Sequence, residues 1–438
     1  MVAPVTLGLH PGGTLSLLRH SLKEGADLQV CRGVRKTTLS IAAGLALLVS
    51  ACGAGDDTTG ETADPTTTDV PSTSTTAPGS TEDLGDDVPS ALDDMNDPSF
   101  PEPLVDPAEI ISGGPPPDGI PPIDGPSFVT VDEADEWLED EEPVIILEIN
   151  EETRAYPIQI LMWHEIVNDT VGDVPVTVTY CPLCNSAVSF QREVNGEVTT
   201  FGTSGRLFAS ALVMYDRATE SLWTHFDGRA VVGALTGERL EPISSPLIAW
   251  ADFKESHPDA MVLDRDATGH SRPYGQNPYA GYDDPDTNPF LFRGSVDERA
   301  AAKQRVVGVA TDAGARAYAL DSLMNGEATA TNDEVGDTSV VIFWKSGQSS
   351  ALEAARVDSG RDVGSVGVFS PIVDGETLSF TVEGGAFIDE QTGSQWDITG
   401  QATSGEMEGQ SLEQIHHLDT FWFAWSTYQP DTDLIGAG

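Results

Sequence analysis

The sequence predicts a mostly β fold with minor helical content, built from two diverged tandem copies of one β-rich unit that pack as one domain. Two observations carry this prediction, namely paired hairpin turns and an internal repeat. The turns are Val194-Asn-Gly-Glu197 and Val373-Asp-Gly-Glu376, each between short alternating segments. Asn-Gly and Asp-Gly favour tight hairpins because both central residues need positive φ. Antiparallel strands are therefore expected in equivalent places of both copies.

The internal repeat divides the folded region. Asp216-Arg-Ala-Thr-Glu-Ser-Leu-Trp223 recurs as Asp389-Glu-Gln-Thr-Gly-Ser-Gln-Trp396, with Asp, Thr, Ser and Trp at the same spacing. Ordered matches of this kind indicate a repeated structural unit. We call residues 108–263 the N-terminal half and residues 303–438 the C-terminal half. Turn-forming residues dominate 264–302, which we expect to be an ordered connector over the surface.

Periodicity places the elements within the N-terminal half. Alternation of apolar residues predicts strands over 144–148, 174–180, 187–193, 197–201, 212–215 and 229–232. Pro157 is placed to open a short helix running to about residue 168, and a second helix is expected after Pro246.

The N-terminal region resembles an exported lipoprotein. Arg35 and Lys36 precede a short apolar run and the ending Val49-Ser-Ala-Cys52, which resembles a bacterial lipobox. We expect 34–52 to be a signal peptide, with Cys52 acylated, and 1–33 to be an upstream extension, with translation beginning at Val34. A plain secretory signal or an uncleaved anchor is the alternative. The protein is thus expected at the cell membrane, lipid-anchored and facing outside the cytoplasm.

Composition and charge exclude one class of partner. Residues 53–107 are rich in Thr, Ser, Pro and Asp, and we expect a disordered acidic linker there. The chain has 71 acidic and 22 basic residues, with a formal net charge of −49. Such a charge repels phosphate backbones, so a nucleic-acid partner is not expected.

The chemically distinctive stretch is a strand followed by Cys181-Pro-Leu-Cys184. Cys181 and Cys184 are the only thiols in the predicted folded region, and two cysteines at this spacing can hold one metal ion or form one disulfide. The corresponding stretch of the C-terminal half, Trp344-Lys-Ser-Gly-Gln-Ser349, has neither thiol. The repeat does not require this pair.

Two histidines are also confined to the N-terminal half. His164 falls opposite Gly326, and His225 falls opposite Ile398. Thiolates and imidazoles suit zinc, copper or iron. The leading hypothesis is a mononuclear transition-metal site that serves metal handling or a redox reaction, with ligands Cys181, Cys184 and His164 and with His225 as a further candidate.

Asn168 and Asp169 are the expected supporting residues of this site. On the helix predicted after Pro157, Asn168 follows His164 by four positions and so faces the same way. Either residue could therefore orient the imidazole as a hydrogen-bond partner.

Several motifs together resemble the family known as domain of unknown function 3179. The motifs are Ile120-Pro-Pro-Ile123, Ala155-Tyr-Pro157, His164-Glu-Ile-Val-Asn-Asp169, Tyr180-Cys-Pro-Leu-Cys184, Phe201-Gly-Thr-Ser-Gly205, Leu212-Val-Met-Tyr-Asp-Arg217 and Ser221-Leu-Trp223. The resemblance covers nearly the whole folded region. It implies a prokaryotic, often exported protein, and it implies no reaction.

Other interpretations of the cysteine pair remain open. Cys181 and Cys184 could perform thiol-disulfide exchange, with one thiol of lowered pKa. They could also form a structural disulfide in a non-catalytic surface binding module, because the outside of the cell is oxidising. His164 could be a hydrogen-bonded core residue, and His225 a half-exposed strand residue. The sequence names no protein or small-molecule partner.

Overall fold

The computed structural model describes residues 89–437, and these form a mostly β protein, as predicted. The strands of the N-terminal half are β1 Ile111–Ser112, β2 Ile123–Asp124, β3 Phe128–Thr130, β4 Pro143–Ile149, β5 Glu152–Pro157, β6 Ile166–Val171, β7 Val174–Cys181, β8 Ser186–Gln191, β9 Glu193–Val194, β10 Glu197–Val198, β11 Phe201–Phe208, β12 Ala211–Asp216, β13 Leu222–Thr224, β14 Ala230–Val232, β15 Pro242–Ile243, β16 Leu247–Ala249 and β17 Met261–Leu263.

The C-terminal half and the helices complete the fold. Its strands are β18 Arg305–Thr311, β19 Gly314–Ala319, β20 Ala328–Val335, β21 Thr338–Lys345, β22 Ser365–Phe369, β23 Ile372–Val373, β24 Glu376–Thr377, β25 Phe380–Glu383, β26 Ala386–Asp389, β27 Gln395–Trp396, β28 Ala402–Ser404, β29 His417–Phe421 and β30 Asp433–Ile435. The helices are α1 Val131–Ala134, α2 Ile158–His164, α3 Trp250–Ser256, α4 Leu320–Leu323 and α5 Trp422–Tyr428. No helix among the described residues is long and apolar enough to cross a bilayer.

The same strand orders occur in the sheets of both halves. The order β16-β4-β5-β17 has its counterpart in β29-β18-β19-β30, and β8-β7-β6 in β22-β21-β20. The order β11-β12-β13-β14 likewise corresponds to β25-β26-β27-β28. Strands β1, β2, β3 and β15 are edge strands that extend only the sheets of the N-terminal half.

The two expected hairpins form with the predicted turn residues. Glu197 pairs with Val194, and Val373 pairs with Glu376. Asn195 and Asp374 have φ of 54° and 51°, and the glycine after each is also at positive φ. Both central residues thus adopt the left-handed conformation that this tight turn requires.

Two sequence-based boundaries differ from the structure. Helix α2 ends at His164, because Glu165 turns to φ 59° and β6 begins at Ile166. The predicted helix to residue 168 is therefore too long. Residues 89–107 were expected to be linker, yet Ala91 is fully buried and packs with Ile110 and Val213. The ordered region starts before Pro107, and the remaining predicted linker lies outside the described residues.

The largest buried cluster joins the two halves. It includes Tyr180, Cys181 and Trp223 from the N-terminal half together with Val306 and Trp422 from the C-terminal half. Burial of apolar surface shared in this way is the main stabilising contribution to association. The halves therefore pack as one domain.

Each half contains the same buried polar network. Asp216 accepts hydrogen bonds from the backbone amide of Thr219 and, at 2.9 Å, from the indole of Trp223. Asp389 accepts the corresponding bonds from Thr392 and, at 3.0 Å, from Trp396. In each half, one aspartate accepts hydrogen bonds from both a turn and a buried indole, so its role is structural.

We expect Asp389→Ala to lower the free energy of unfolding by about 3 kcal/mol, because the buried Trp396 indole and the Thr392 hydroxyl lose their acceptor. Urea unfolding followed by tryptophan fluorescence measures the effect. The exposed neighbour Glu390 supplies the control, and Glu390→Ala should leave the midpoint unchanged. Equal midpoints for both variants would contradict a structural role for this network.

Candidate metal centre

The Cys181-Pro-Leu-Cys184 hairpin joins β7 to β8 and lies inside the protein. Cys181 pairs with Ser186 at the end of the ladder, and Asn185 closes the turn at φ 52°. The carbonyl oxygen of Cys184 accepts hydrogen bonds from the amide of Phe421 at 3.1 Å and from the hydroxyl of Thr420 at 2.8 Å. The C-terminal half thus holds the hairpin in place.

His225 follows β13 and points into the same interior region. Its backbone amide donates to the carbonyl of Leu212 at 3.1 Å. The residue is fully buried, and neither ring nitrogen has a hydrogen-bond partner among the described residues. Leaving such a group unsatisfied costs roughly 1–3 kcal/mol, so a buried imidazole with two free nitrogens requires an explanation.

The structure brings three of the predicted ligands together. The sulfurs of Cys181 and Cys184 and a ring nitrogen of His225 lie within 4.8 Å of one another. Donor atoms around a tetrahedral zinc ion are about 3.5–3.8 Å apart, given bonds of 2.0–2.3 Å. Small side-chain movements would bring the three donors to that geometry. Cys181 is 2% exposed and Cys184 is fully buried, so the group is closed to solvent.

The two thiols differ in acidity. Burial favours the protonated form of Cys181, but hydrogen bonds from the Cys184 thiol and the Leu212 amide outweigh burial and lower its pKa. Burial and the neighbouring Cys181 raise the pKa of Cys184 well above its ordinary value. The pair therefore holds a thiolate more readily on Cys181 than on Cys184.

The imidazole of His225 is neutral. Burial lowers its pKa to about 3, so the ring carries no charge at physiological pH. A neutral imidazole is the form that binds metal ions.

His164, predicted as a ligand, lies elsewhere. Its Nδ1 is 2.7 Å from the carbonyl oxygen of Pro121, and its Nε2 is 2.7 Å from the hydroxyl of Tyr274. Burial lowers its pKa to about 4, so a neutral ring donates through Nδ1 and accepts at Nε2. Both nitrogens are occupied, and His164 is not part of the cysteine group. His164 therefore has the surroundings of a hydrogen-bonded core histidine, which was the alternative prediction.

Asn168 and Asp169 lie on β6 and do not orient His164. Asn168 donates to the Phe201 carbonyl at 2.8 Å and accepts from its amide at 2.9 Å. Asp169 accepts from Arg154 and Tyr156, both at 2.6 Å. Their expected place beside the imidazole depended on a helix that ends before them, and they tie strands together instead.

The C-terminal half replaces the three donors. Ile398, opposite His225, is a buried apolar residue. Lys345, opposite Cys181, pairs with Asp252 at 2.5 Å, and Gln348 stands opposite Cys184. The fold is thus compatible with non-ligating residues at these positions.

A cavity of about 620 Å³, which no sequence pattern indicated, lies beside the hairpin. Leu183 and Leu212 contribute to its wall from the side of the cysteines, and Tyr282 and Phe290 contribute from the connector. The Tyr282 hydroxyl donates to the carbonyl of Leu183 at 3.1 Å. The connector therefore closes the cavity as well as joining the halves.

Glu165 also faces this cavity. It is 8% exposed. Burial, with a smaller effect of Cys181, raises its pKa to about 8. Its φ of 59° is uncommon for a residue other than glycine and costs on the order of 1–3 kcal/mol, a strain typical of functional sites.

The profile of the family described as "Protein of unknown function (DUF3179)" matches residues 117–432. The chain belongs to this family. The match spans both halves and the connector, so the cysteine hairpin and His225 lie within the DUF3179 region, as does the cavity wall except Gly113 and Pro115. Searches of curated proteins and of solved structures found no match.

Because the cysteine hairpin is buried, its thiols should react slowly in the native protein. After treatment with chelator and reductant, Cys181 and Cys184 should react with a thiol reagent at least roughly a hundredfold more slowly in the native chain than in denaturant, because local opening must come first. Stopped-flow absorbance measures the rates, and a Cys181→Ser/Cys184→Ser chain supplies the background of the other thiols. Equal native and denatured rates would contradict a closed site.

Proposed function

We propose that this DUF3179 protein binds one transition-metal ion through Cys181, Cys184 and His225. One observation carries the proposal. His225 is fully buried beside two thiols, with both ring nitrogens unpartnered among the described residues. Coordination of an ion would satisfy one nitrogen and both sulfurs together. This set replaces the sequence-based set with His164, whose nitrogens are already bonded.

The donor set supports zinc, copper or iron. Two sulfurs and one imidazole are ligands for soft or borderline ions, and three protein donors leave a fourth position in a tetrahedral site. Binding would displace the proton of Cys184 and favour the thiolate that Cys181 already stabilises. Zinc would provide a structural or Lewis-acid centre, whereas copper or iron would provide a redox centre.

Burial favours a held ion over the alternative functions. A thiol-disulfide exchange catalyst needs a sulfur that a partner can reach, yet Cys181 is 2% exposed and Cys184 fully buried. A structural disulfide would leave both nitrogens of His225 unsatisfied. A metal carrier would also need an accessible ion, so we favour a permanently bound one.

The proposed setting is the outer face of the cell membrane. It depends on the lipobox-like Val49-Ser-Ala-Cys52 and on acylation of Cys52, which lies outside the described residues. We further propose that the C-terminal half is a diverged copy without a metal site. The matching strand orders and Asp-Trp networks support this interpretation.

We expect the full chain, purified without chelators, to contain about one zinc, copper or iron ion, as a single three-donor site predicts. His225→Ala and Cys184→Ser should each lose most of the metal, because two donors bind far more weakly than three. Inductively coupled plasma mass spectrometry measures the content, and circular dichroism checks folding.

Two histidine variants serve as matched controls for metal content. His416 belongs to the C-terminal half and also has an unpartnered buried Nδ1, so His416→Ala should retain the metal. His164→Ala should retain it as well. A metal-free wild-type chain with no free thiol at Cys181 and Cys184 until reductant is added would overturn the proposal in favour of a disulfide. Loss of metal in His164→Ala alone would restore the sequence-based ligand set.

A further inference from the structure

The cavity beside the cysteine hairpin has the size and the wall of a small-molecule site. Its volume of about 620 Å³ lies within the range of roughly 300–1,000 Å³ that such pockets occupy. Aliphatic and aromatic side chains from separate parts of the chain form most of its wall, namely Ile120, Leu183, Leu207, Leu212, Tyr279 and Phe290. A wall of this kind suits a ligand with an apolar body.

A bulge in β11 shapes one side of the cavity. The register between β11 and β12 shifts between Thr203 and Arg206, and Gly205 within the shift has φ of 70° and lines the cavity. A Cβ atom on Gly205 would clash with the carbonyl oxygen of Pro115. The corresponding strands of the C-terminal half, β25 and β26, pair without such a shift. The repeated fold does not require this bulge, and bulges are common beside functional sites.

The charge of Arg206 is directed away from the cavity. Leu207 pairs with Leu212 across β11 and β12, and both line the cavity. Arg206 precedes Leu207 on the strand and so projects from the opposite face. There its guanidinium donates to the Leu92 carbonyl at 2.7 Å. Arg206 therefore offers no charge to a ligand.

The ammonium of Lys303 is already satisfied by the protein. It donates to the carbonyl of Tyr282 and to the hydroxyl of Thr287, and it lies 4.4 Å from the centre of the Tyr282 ring. An acidic ligand would therefore lose its hydration without gaining a free cation, which costs free energy. Glu165 is the acidic residue of the wall, so a cation is the competing occupant that an experiment must exclude.

The connector holds an apolar ring at the opening of the cavity. Phe290 lines the cavity and is nevertheless 50% exposed. Its amide donates to the Tyr282 hydroxyl at 3.1 Å, and its carbonyl accepts from the Ser210 hydroxyl. These bonds fix the backbone so that the ring lies at the solvent edge and not in the core. A ligand in the cavity would remove part of this apolar surface from water.

We infer that this cavity binds one uncharged small molecule with an apolar body, such as a medium-chain alcohol, between the bulge of β11 and the ring of Phe290. Binding there does not require the proposed metal ion, because Cys181, Cys184 and His225 do not line the cavity.

Calorimetric titration of the full chain with octanol, octanoate and octylamine compares three end groups on one alkyl chain. Octanol should bind at least roughly tenfold more tightly than either charged probe, because burying a charge without a partner costs free energy. Salt at about 0.5 M screens the attraction between octylamine and the acidic surface. Tightest binding of octanoate or octylamine, equal binding of the three probes, or no binding of octanol would overturn the inference.

Hexanol tests whether apolar contact provides the affinity. Hexanol should bind roughly fifteenfold more weakly than octanol, since each buried methylene contributes a factor of about four. Equal affinities of the two alcohols would contradict an apolar site.

A cavity-filling variant locates the bound alcohol. Ala280 is exposed and lines the cavity, so Ala280→Trp should remove most octanol binding without disturbing the core. Ala267 is an exposed connector residue outside the cavity wall, and Ala267→Trp should bind octanol as wild type does. Unchanged affinity in Ala280→Trp would place binding elsewhere and contradict the inference.

A variant at the opening tests the contribution of the exposed ring. Phe290→Ala should weaken octanol binding by roughly fivefold, because part of the apolar contact is lost. Ile372 in the C-terminal half is 49% exposed, and Ile372→Ala is the matched control that should bind as wild type. Equal octanol affinities in the two variants would contradict a ligand that reaches the Phe290 ring. Metal content measured on the same samples reports the proposed metal site separately.

Discussion

The hydrogen bonds to the carbonyl oxygen of Cys184 hold the cysteine hairpin in its buried position. Phe421 and Thr420, at the end of β29, both donate to this oxygen, and the Thr420 hydroxyl also lies 2.7 Å from that of Ser186. Without these hydrogen bonds, polar backbone groups of the hairpin would be buried without partners, which costs free energy. The C-terminal half satisfies that backbone, and so the hairpin can be buried. The C-terminal half, which has no thiols, is therefore needed to position the two cysteines.

Comparison of the two halves distinguishes residues that maintain the fold from residues that the fold does not require. Asp216 and Asp389 have the same partners because any copy of this sheet must satisfy a buried turn and an indole. The fold does not require a histidine at position 225, since Ile398 fills the corresponding place as an ordinary core residue. The ring of His225 has no partner for either nitrogen among the described residues, and the proposed metal ion would supply one.

Local patterns allowed part of this structure to be predicted. The Asn-Gly and Asp-Gly turns determine their own hairpins, and strand alternation located β4, β7 and β12 within one or two residues. The predicted helix through residue 168 was wrong because Glu165 breaks it at positive φ, a conformation that residue type does not signal. Only the predicted contact between Asn168 and His164 was inferred from that helix, and Asn168 bonds to Phe201 instead.

The cavity could not be predicted because it is assembled from distant segments. Leu183 belongs to the hairpin, Leu212 to β12 and Tyr282 to the connector, and no periodicity relates them. Turn residues predicted the connector, yet which of its aromatic side chains face inward depends on the halves that it covers. Only the hydrogen bond from Tyr282 to Leu183, a tertiary contact, determines that.

Leu183 separates the cysteine sulfurs from the cavity. It stands between Cys181 and Cys184 in sequence, and with Leu212 it lines the cavity while the sulfurs lie behind. A molecule in the cavity would therefore meet aliphatic carbon and not sulfur. Direct reaction between an occupant and a held ion would require the hairpin to move, and that movement would break the bonds that Phe421 and Thr420 make to it. The arrangement thus favours an ion whose environment is modified from the cavity through packing over one that reacts with the occupant directly.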